Sequence, residues 1–192
     1  MRAPAAGGII GRVLGTLKTE PARERPDLLA GPVAAGLAKW DTAPPEVLVA
    51  PIDPTLADTA AFCEAYQVDL AASANCVVVA GKRGGEERYA ACVVLATTRA
   101  DVNGVVRRYL DVRKASFAPT EDAVARTGME YGGITPIGLP EGWPILVDAR
   151  VIGSEYVVIG SGVRHSKIVI PGAALADLPG AVVRDDLARP IG

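Results

Sequence analysis

Asn75-Cys-Val-Val-Val-Ala80, Gly81-Lys-Arg-Gly-Gly-Glu-Glu87 and Arg88–Thr97 decide the fold class. Two apolar, β-branched runs flank a polar, glycine-containing turn, which is the pattern of a β-hairpin. Helical patterns lie on either side of it. Asp53-Pro54 opens one by N-cap and N1 proline, running to about Tyr66. Asp101 opens another that reaches Leu110, with Val102, Val105, Val106 and Tyr109 on one side. Pro119 starts a third and Gly128 ends it.

Further apolar strands are expected at Val47–Pro51, Lys114–Phe117, Ile145–Asp148, Tyr156–Ile159, Lys167–Ile170 and Ala181–Arg184, with a last helix from Pro171. About seven or eight strands and four or five helices, mostly with antiparallel neighbours, make an α+β fold. A curved mixed β-sheet or small barrel flanked by helices is expected. Residues 1–45 differ from the rest. Prolines recur at 4, 21, 26, 32, 44 and 45 around two short helical candidates near Ile9–Lys18 and Pro32–Lys39. They are read as an N-terminal helical appendage packed on a domain of residues 46–192. Gly7 and Gly11 have G-x-x-x-G spacing, which carries little meaning outside an apolar 20-mer.

The chain has 192 residues, of which 49% are hydrophobic and 22% charged, so it can bury a sizeable core and is not of the disordered class. Mean hydropathy is +0.25. A formal charge of −2 argues against a protein that coats nucleic acid, although a contact with one RNA end remains compatible. Aromatics at 5% argue against a stacking platform of several rings. No run approaches a membrane span, and the glycine-interrupted start of the chain, with Arg12 and no cleavage pattern, is not read as a signal peptide. Cys63, Cys76 and Cys92 are widely spaced, and Cys76 and Cys92 sit in apolar runs, so they read as reduced core thiols of a cytoplasmic protein.

The stretch Arg126-Thr-Gly-Met-Glu-Tyr-Gly-Gly-Ile-Thr-Pro-Ile-Gly-Leu-Pro140 suggests a site. Ordering such a glycine-rich loop costs entropy, and glycines let backbone amides approach a ligand while prolines stiffen the turn. Other chemistries find little support. His165 is the only histidine, so multi-histidine zinc sites are excluded, and no Cys/His cluster replaces them. No G-x-S-x-G elbow accompanies it. Gly81–Gly85 lacks the order of a phosphate loop and leads into a strand. No cofactor is implied. Asp148 ends an apolar strand, where it either braces loop amides or acts in a reaction.

Five stretches carry a family resemblance: Asn75–Ala80, Ala115-Ser-Phe-Ala-Pro119, Thr127–Gly138, Pro144-Ile-Leu-Val-Asp-Ala149 and Gly160-Ser-Gly-Val-Arg164. In this order, over roughly three quarters of the chain, they resemble the YbaK/prolyl-tRNA editing domain family. The resemblance implies a hydrolase that deacylates mischarged aminoacyl-tRNA in trans. Its partners would be the tRNA acceptor end and an aminoacyl-tRNA synthetase, with no membrane and no DNA. It implies that the G-x-x-x-P loop, here Gly132, Gly133, Ile134, Thr135 and Pro136, faces the ester, and that a ribose hydroxyl of the terminal adenosine helps activate water. On the same ground Asn75, Gly132 and Asp148 are the catalytic candidates. Ser161, Gly162 and Arg164 join residues 133–136 as substrate-binding candidates.

The chain departs from the family at one place. A lysine usual before the first long strand is matched here by Asn75, which hydrogen-bonds without charge. Either Asn75 positions the substrate differently, or Arg164 or Lys167 supplies the cation, or activity is lost and a tRNA-end, nucleotide or synthetase binding module remains. A small-molecule hydrolase using the same pocket is a third alternative. Arg164 either meets a tRNA phosphate or is a solvated hairpin arginine. The basic pairs Lys82/Arg83, Arg107/Arg108 and Arg113/Lys114 read as solvated faces rather than site residues.

Overall fold

The computed structural model describes residues 14–191. In chain order, β1 (Glu20–Pro21) and two 3₁₀ turns lead to α1 (Gly31–Lys39) and β2 (Leu48–Pro51). A 3₁₀ turn precedes α2 (Thr59–Tyr66). The central hairpin, β3 (Ala74–Arg83) and β4 (Glu86–Leu95), is followed by β5 (Thr98–Ala100). A π-helical turn at Val102–Val106 runs into α3 (Arg107–Tyr109), then β6 (Ala115–Phe117) and α4 (Thr120–Thr127). After the glycine loop come β7 (Ile145–Asp148), α5 (Ala149–Ile152), β8 (Val157–Gly160), β9 (Ser166–Ile170), β10 (Ala181–Arg184) and β11 (Ala188–Pro190).

The strands form three sheets: β1-β2-β9-β8, β10-β7-β4-β3-β6 and the pair β11-β5. The five-stranded sheet is mixed, because β7 runs parallel to both β4 and β10 while β3 is antiparallel to β4 and β6. A bridge between Ser73 and Val158 joins the two larger sheets at one end. The α+β class and the mixed sheet stand as expected; no closed barrel forms among the described residues. The sequence pattern undercounts strands because β1, β5 and β11 are two or three residues long.

The hairpin is longer than its apolar runs. β3 and β4 continue to the Arg83↔Glu86 pair around Gly84-Gly85. Lys82 and Glu87 pair across the strands at 3.2 Å, so polarity marks solvent exposure there, not the end of the ladder. The helix read from Asp53 to Tyr66 is two pieces. Asp53 accepts from the Thr55 amide and Asp58 from the Ala60 amide, each capping its own short helix. The Pro119 start and Gly128 stop of α4 hold. Of the first helical candidate, Ile9–Val13 lies outside the described residues, as do Gly7 and Gly11.

In the middle of the central sheet, β7 and residues 89–95 of β4 are buried on both faces, which is why these stretches are almost continuously apolar. One face packs Val93, Ile145 and Val147 against Val33 and Leu37 of α1, Trp40 and β9 residues Ile168 and Ile170. The other packs Val79, Cys92, Val94 and Leu146 on the 102–112 segment and Leu187. Residues 22–40 therefore share the main core. The contact is close where α1 meets the glycine loop. A Cβ on Gly138, whose φ is +79°, would lie 2.1 Å from the Pro32 carbonyl oxygen. Gly138→Ala is expected to cost about 2 kcal/mol or more and to lower Tm by about 4 °C or more in a thermal melt. Gly31→Ala, with nothing within 4 Å of its added Cβ, should leave Tm nearly unchanged.

Candidate functional site

β6 pairs with β3 only at residues 79–81, and the Ala118 amide extends the pairing to the Val78 carbonyl. Below that point the outer edge of β3 is open. A cavity of about 480 Å³ lies against this edge. Its floor is Asn75–Val78, and its walls are Ala57–Thr59, Phe117–Ala118, Tyr131, Gly132, Ile134, Gly160, Arg164 and Lys167. Because neighbouring strand residues face alternate edges, the Val78 bond places the Cys76 N–H and C=O along the unpaired edge as well.

Backbone packing sets the far wall. The Gly162 amide donates to the Gly133 carbonyl at 2.7 Å, and the Glu130 amide donates to the Gly162 carbonyl at 2.8 Å. A Cβ on Gly160 would lie 2.3 Å from the Gly133 oxygen, and one on Gly133 would lie 2.6 Å from the Val163 oxygen. Only glycine permits this approach. Arg164 ties the wall across the opening: Nη1 donates to the Tyr131 carbonyl and Nη2 to the Pro54 carbonyl, both at 3.1 Å. Its own amide donates to Glu130 Oε2.

The polar lining is cationic at its core. Lys167 is 7% exposed, and its Nζ donates to the Ala57 carbonyl at 3.0 Å while lying 5.3 Å from the Phe62 ring centre. Burial holds its pKa below the ordinary lysine value. Asn75 Oδ1 accepts from the Thr59 hydroxyl at 2.7 Å, so the α2 N-terminus fixes the asparagine. Asp58 is the sole carboxylate on the described lining, and one of its oxygens already caps α2.

The sequence-chosen residues divide. Asn75, Gly132, Ile134 and Arg164 meet at this cavity. Gly133 lies behind it, turned toward Val163. Pro136 lines a second cavity of about 770 Å³ beyond the loop, and Thr135 is fully buried between the two. Ser161 is also fully buried; its hydroxyl donates to the Ser166 carbonyl and accepts from the Ser166 hydroxyl. Gly162 packs on Ala30 and Val33. Asp148 lies off the cavity, capping α5 through the Arg150 amide at 2.9 Å, accepting the Ala188 amide at 3.1 Å and pairing with Arg150. Its carboxylate is a brace, because three donors already occupy it. His165 faces the Asp27 carbonyl and takes no part in the lining.

Two residues escape a reading by composition. Phe117 and Tyr131 are the most exposed large apolar side chains among the described residues, at 61% and 65%, and both border the one cavity. An aromatic at the last position of a short strand was the available signal for Phe117.

A family profile for the aminoacyl-tRNA editing domain matches residues 53–178, a span that holds every lining residue. The chain belongs to the aminoacyl-tRNA editing domain family. Solved structures share the editing-domain fold. A candidate trans-editing enzyme for prolyl tRNA synthetase superposes with a TM-score of 0.69 at 20% identity, over 82% of this chain and 96% of that one. A hypothetical protein, APE2540, superposes with a TM-score of 0.66 at 20% identity, over 74% of this chain and 91% of that one. No helix of this editing domain, among the described residues, is long and apolar enough to cross a membrane.

The brace role of Asp148 has a measurable consequence for stability. Asp148→Ala is expected to lower stability by about 2–4 kcal/mol, read by urea unfolding. Asp148→Asn keeps an acceptor for only one of the Arg150 and Ala188 amides and sets an NH2 group against the other, so it should be destabilised as well.

Proposed function

We propose that this protein is an aminoacyl-tRNA deacylase that hydrolyses the ester of mischarged tRNA in trans. The observation that carries the reading is the convergence of Asn75, Gly132, Arg164 and Lys167 on one cavity within an editing-family domain. The amino-acid portion of the substrate would enter between the β3 edge and the loop, with size limited by Gly132 and Ile134. The loop amides would stabilise negative charge developing on the ester oxygen, and Asn75, held by Thr59, would orient substrate or water. The lining offers no imidazole, so the attacking water would be activated with help from the substrate's own ribose hydroxyl. Phe117 and Tyr131 would hold the terminal base, as stacking on aromatic faces does in single-stranded nucleic-acid sites.

Release of amino acid from a panel of mischarged tRNAs is the direct test. At least one should be hydrolysed well above the spontaneous rate, and silence across the whole panel overturns the reading. Gly132→Ala should slow the active reaction by about tenfold or more, because its Cβ would sit 2.6 Å from Arg164 Nη1 on a φ of +82°. Phe117→Ala should raise KM by about fivefold or more with little change in kcat.

One observation favours a second reading, a catalytically degenerate module that binds a tRNA end, a nucleotide or a synthetase. Asn75, which stands where the resembled family carries lysine, already has its oxygen engaged by Thr59. Asn75→Lys separates the readings. Activity appearing from nothing supports the degenerate module, whereas loss of existing activity shows a site built around asparagine.

A further inference from the structure

Lys167 and Arg164 form an unusual pair. A buried ammonium is costly unless it is compensated, yet among the described residues Lys167 Nζ has only the Ala57 carbonyl and the Phe62 ring beside it and forms no ion pair. The guanidinium of Arg164 likewise meets only carbonyls, those of Tyr131 and Pro54; Glu130 is engaged by the Arg164 backbone amide instead. Both cations line the same cavity. Their mutual repulsion adds to burial in lowering the lysine's pKa, while Cys63 and Asp58 act in the opposite direction. Folding has therefore left two positive groups unneutralised at one opening, in a chain whose net charge is −2.

We propose that Lys167 and Arg164 together bind one phosphate group, that of the nucleotide whose base rests on Phe117 and Tyr131. The step deepens the deacylase reading and rests on it for the nucleotide's identity as the 3′-terminal one. The cation of the site then comes from β9 and the β8–β9 turn, facing the β3 edge from the opposite side. Asn75 is relieved of carrying charge. Lys167 contacts substrate at its phosphate and leaves the chemistry of the ester to the loop and the water.

Equilibrium binding of AMP and of adenosine, measured by calorimetry, tests this without requiring turnover. The unaltered protein should prefer AMP, and the preference should shrink with added salt. Lys167→Met should weaken AMP binding by about tenfold or more and leave adenosine unchanged. Lys167→Arg should retain part of the preference. A structural lysine would lower Tm on removal; here Tm of the Lys167→Met protein should hold or rise, since an uncompensated buried charge is lost. As pH rises, the AMP preference should fall at a pH below the 10.5 of a free lysine, as Lys167 loses its proton and Arg164 is left as the remaining cation.

No preference for AMP over adenosine in the unaltered protein, or full preference in Lys167→Met, overturns the phosphate site. If that protein fails to fold, Arg164→Gln decides in its place by the same measurement. Preference for AMP with no hydrolysis of any mischarged tRNA sinks the deacylase reading and leaves the phosphate site standing.

Discussion

The clasp between residues 130–133 and 160–162 is the contact on which the cavity depends. Two backbone hydrogen bonds, Gly162 to Gly133 and Glu130 to Gly162, fasten the glycine loop to the end of β8. The loop follows α4, which belongs with the central hairpin, whereas β8 and β9 belong to the other sheet. The clasp thus holds two sheets at a fixed separation on the side where β6 stops short of the β3 edge. Side chains at Gly133 or Gly160 would force the backbones apart by about 1 Å to reach ordinary contact distance. The cavity wall would then no longer face Asn75.

The same geometry explains what the sequence shows and what it conceals. Strand runs such as Ile145–Asp148 and the Gly128 helix stop depend on local rules of periodicity and capping, and they are legible. The break at Asp58 is less so, because a second Asp inside a plausible helix can either cap anew or face solvent. The loop's division into one half lining the smaller cavity and another half against α1 is set by long-range contacts with residues 32–36 and 160–163. No pattern in the loop itself encodes it.

Site residues show the same limit. Gly132 and Arg164 lie in small-residue turns that the family resemblance places at the pocket, and the structure brings both to the cavity. Ser161 looked similar in sequence, yet its hydroxyl is consumed within the turn by Ser166. Asp148, a catalytic candidate by resemblance, ends an apolar strand, where a buried carboxylate needs partners. Which partners it takes depends on Ala188, forty residues away, and on Arg150. Lys167 heads the otherwise apolar run Ile168-Val169-Ile170. That position is a detectable conflict between local pattern and charge, and such conflicts tend to mark function.

Charge placement then constrains the chemistry. The lining combines two cations, a single carboxylate already capping a helix, and no imidazole. Such a set binds anions well and abstracts protons poorly, since neither lysine nor arginine readily serves as a base while protonated. An amide bond would demand protonation of a poor leaving nitrogen. An ester leaving group is a hydroxyl oxygen that needs far less assistance, so orientation plus amide donors can suffice. On the proposed deacylase reading, the buried cost of Lys167 fits this division of labour: stability would be given up for a charge that orients the substrate, because the site has no strong base whose placement could compensate for a loosely held ester.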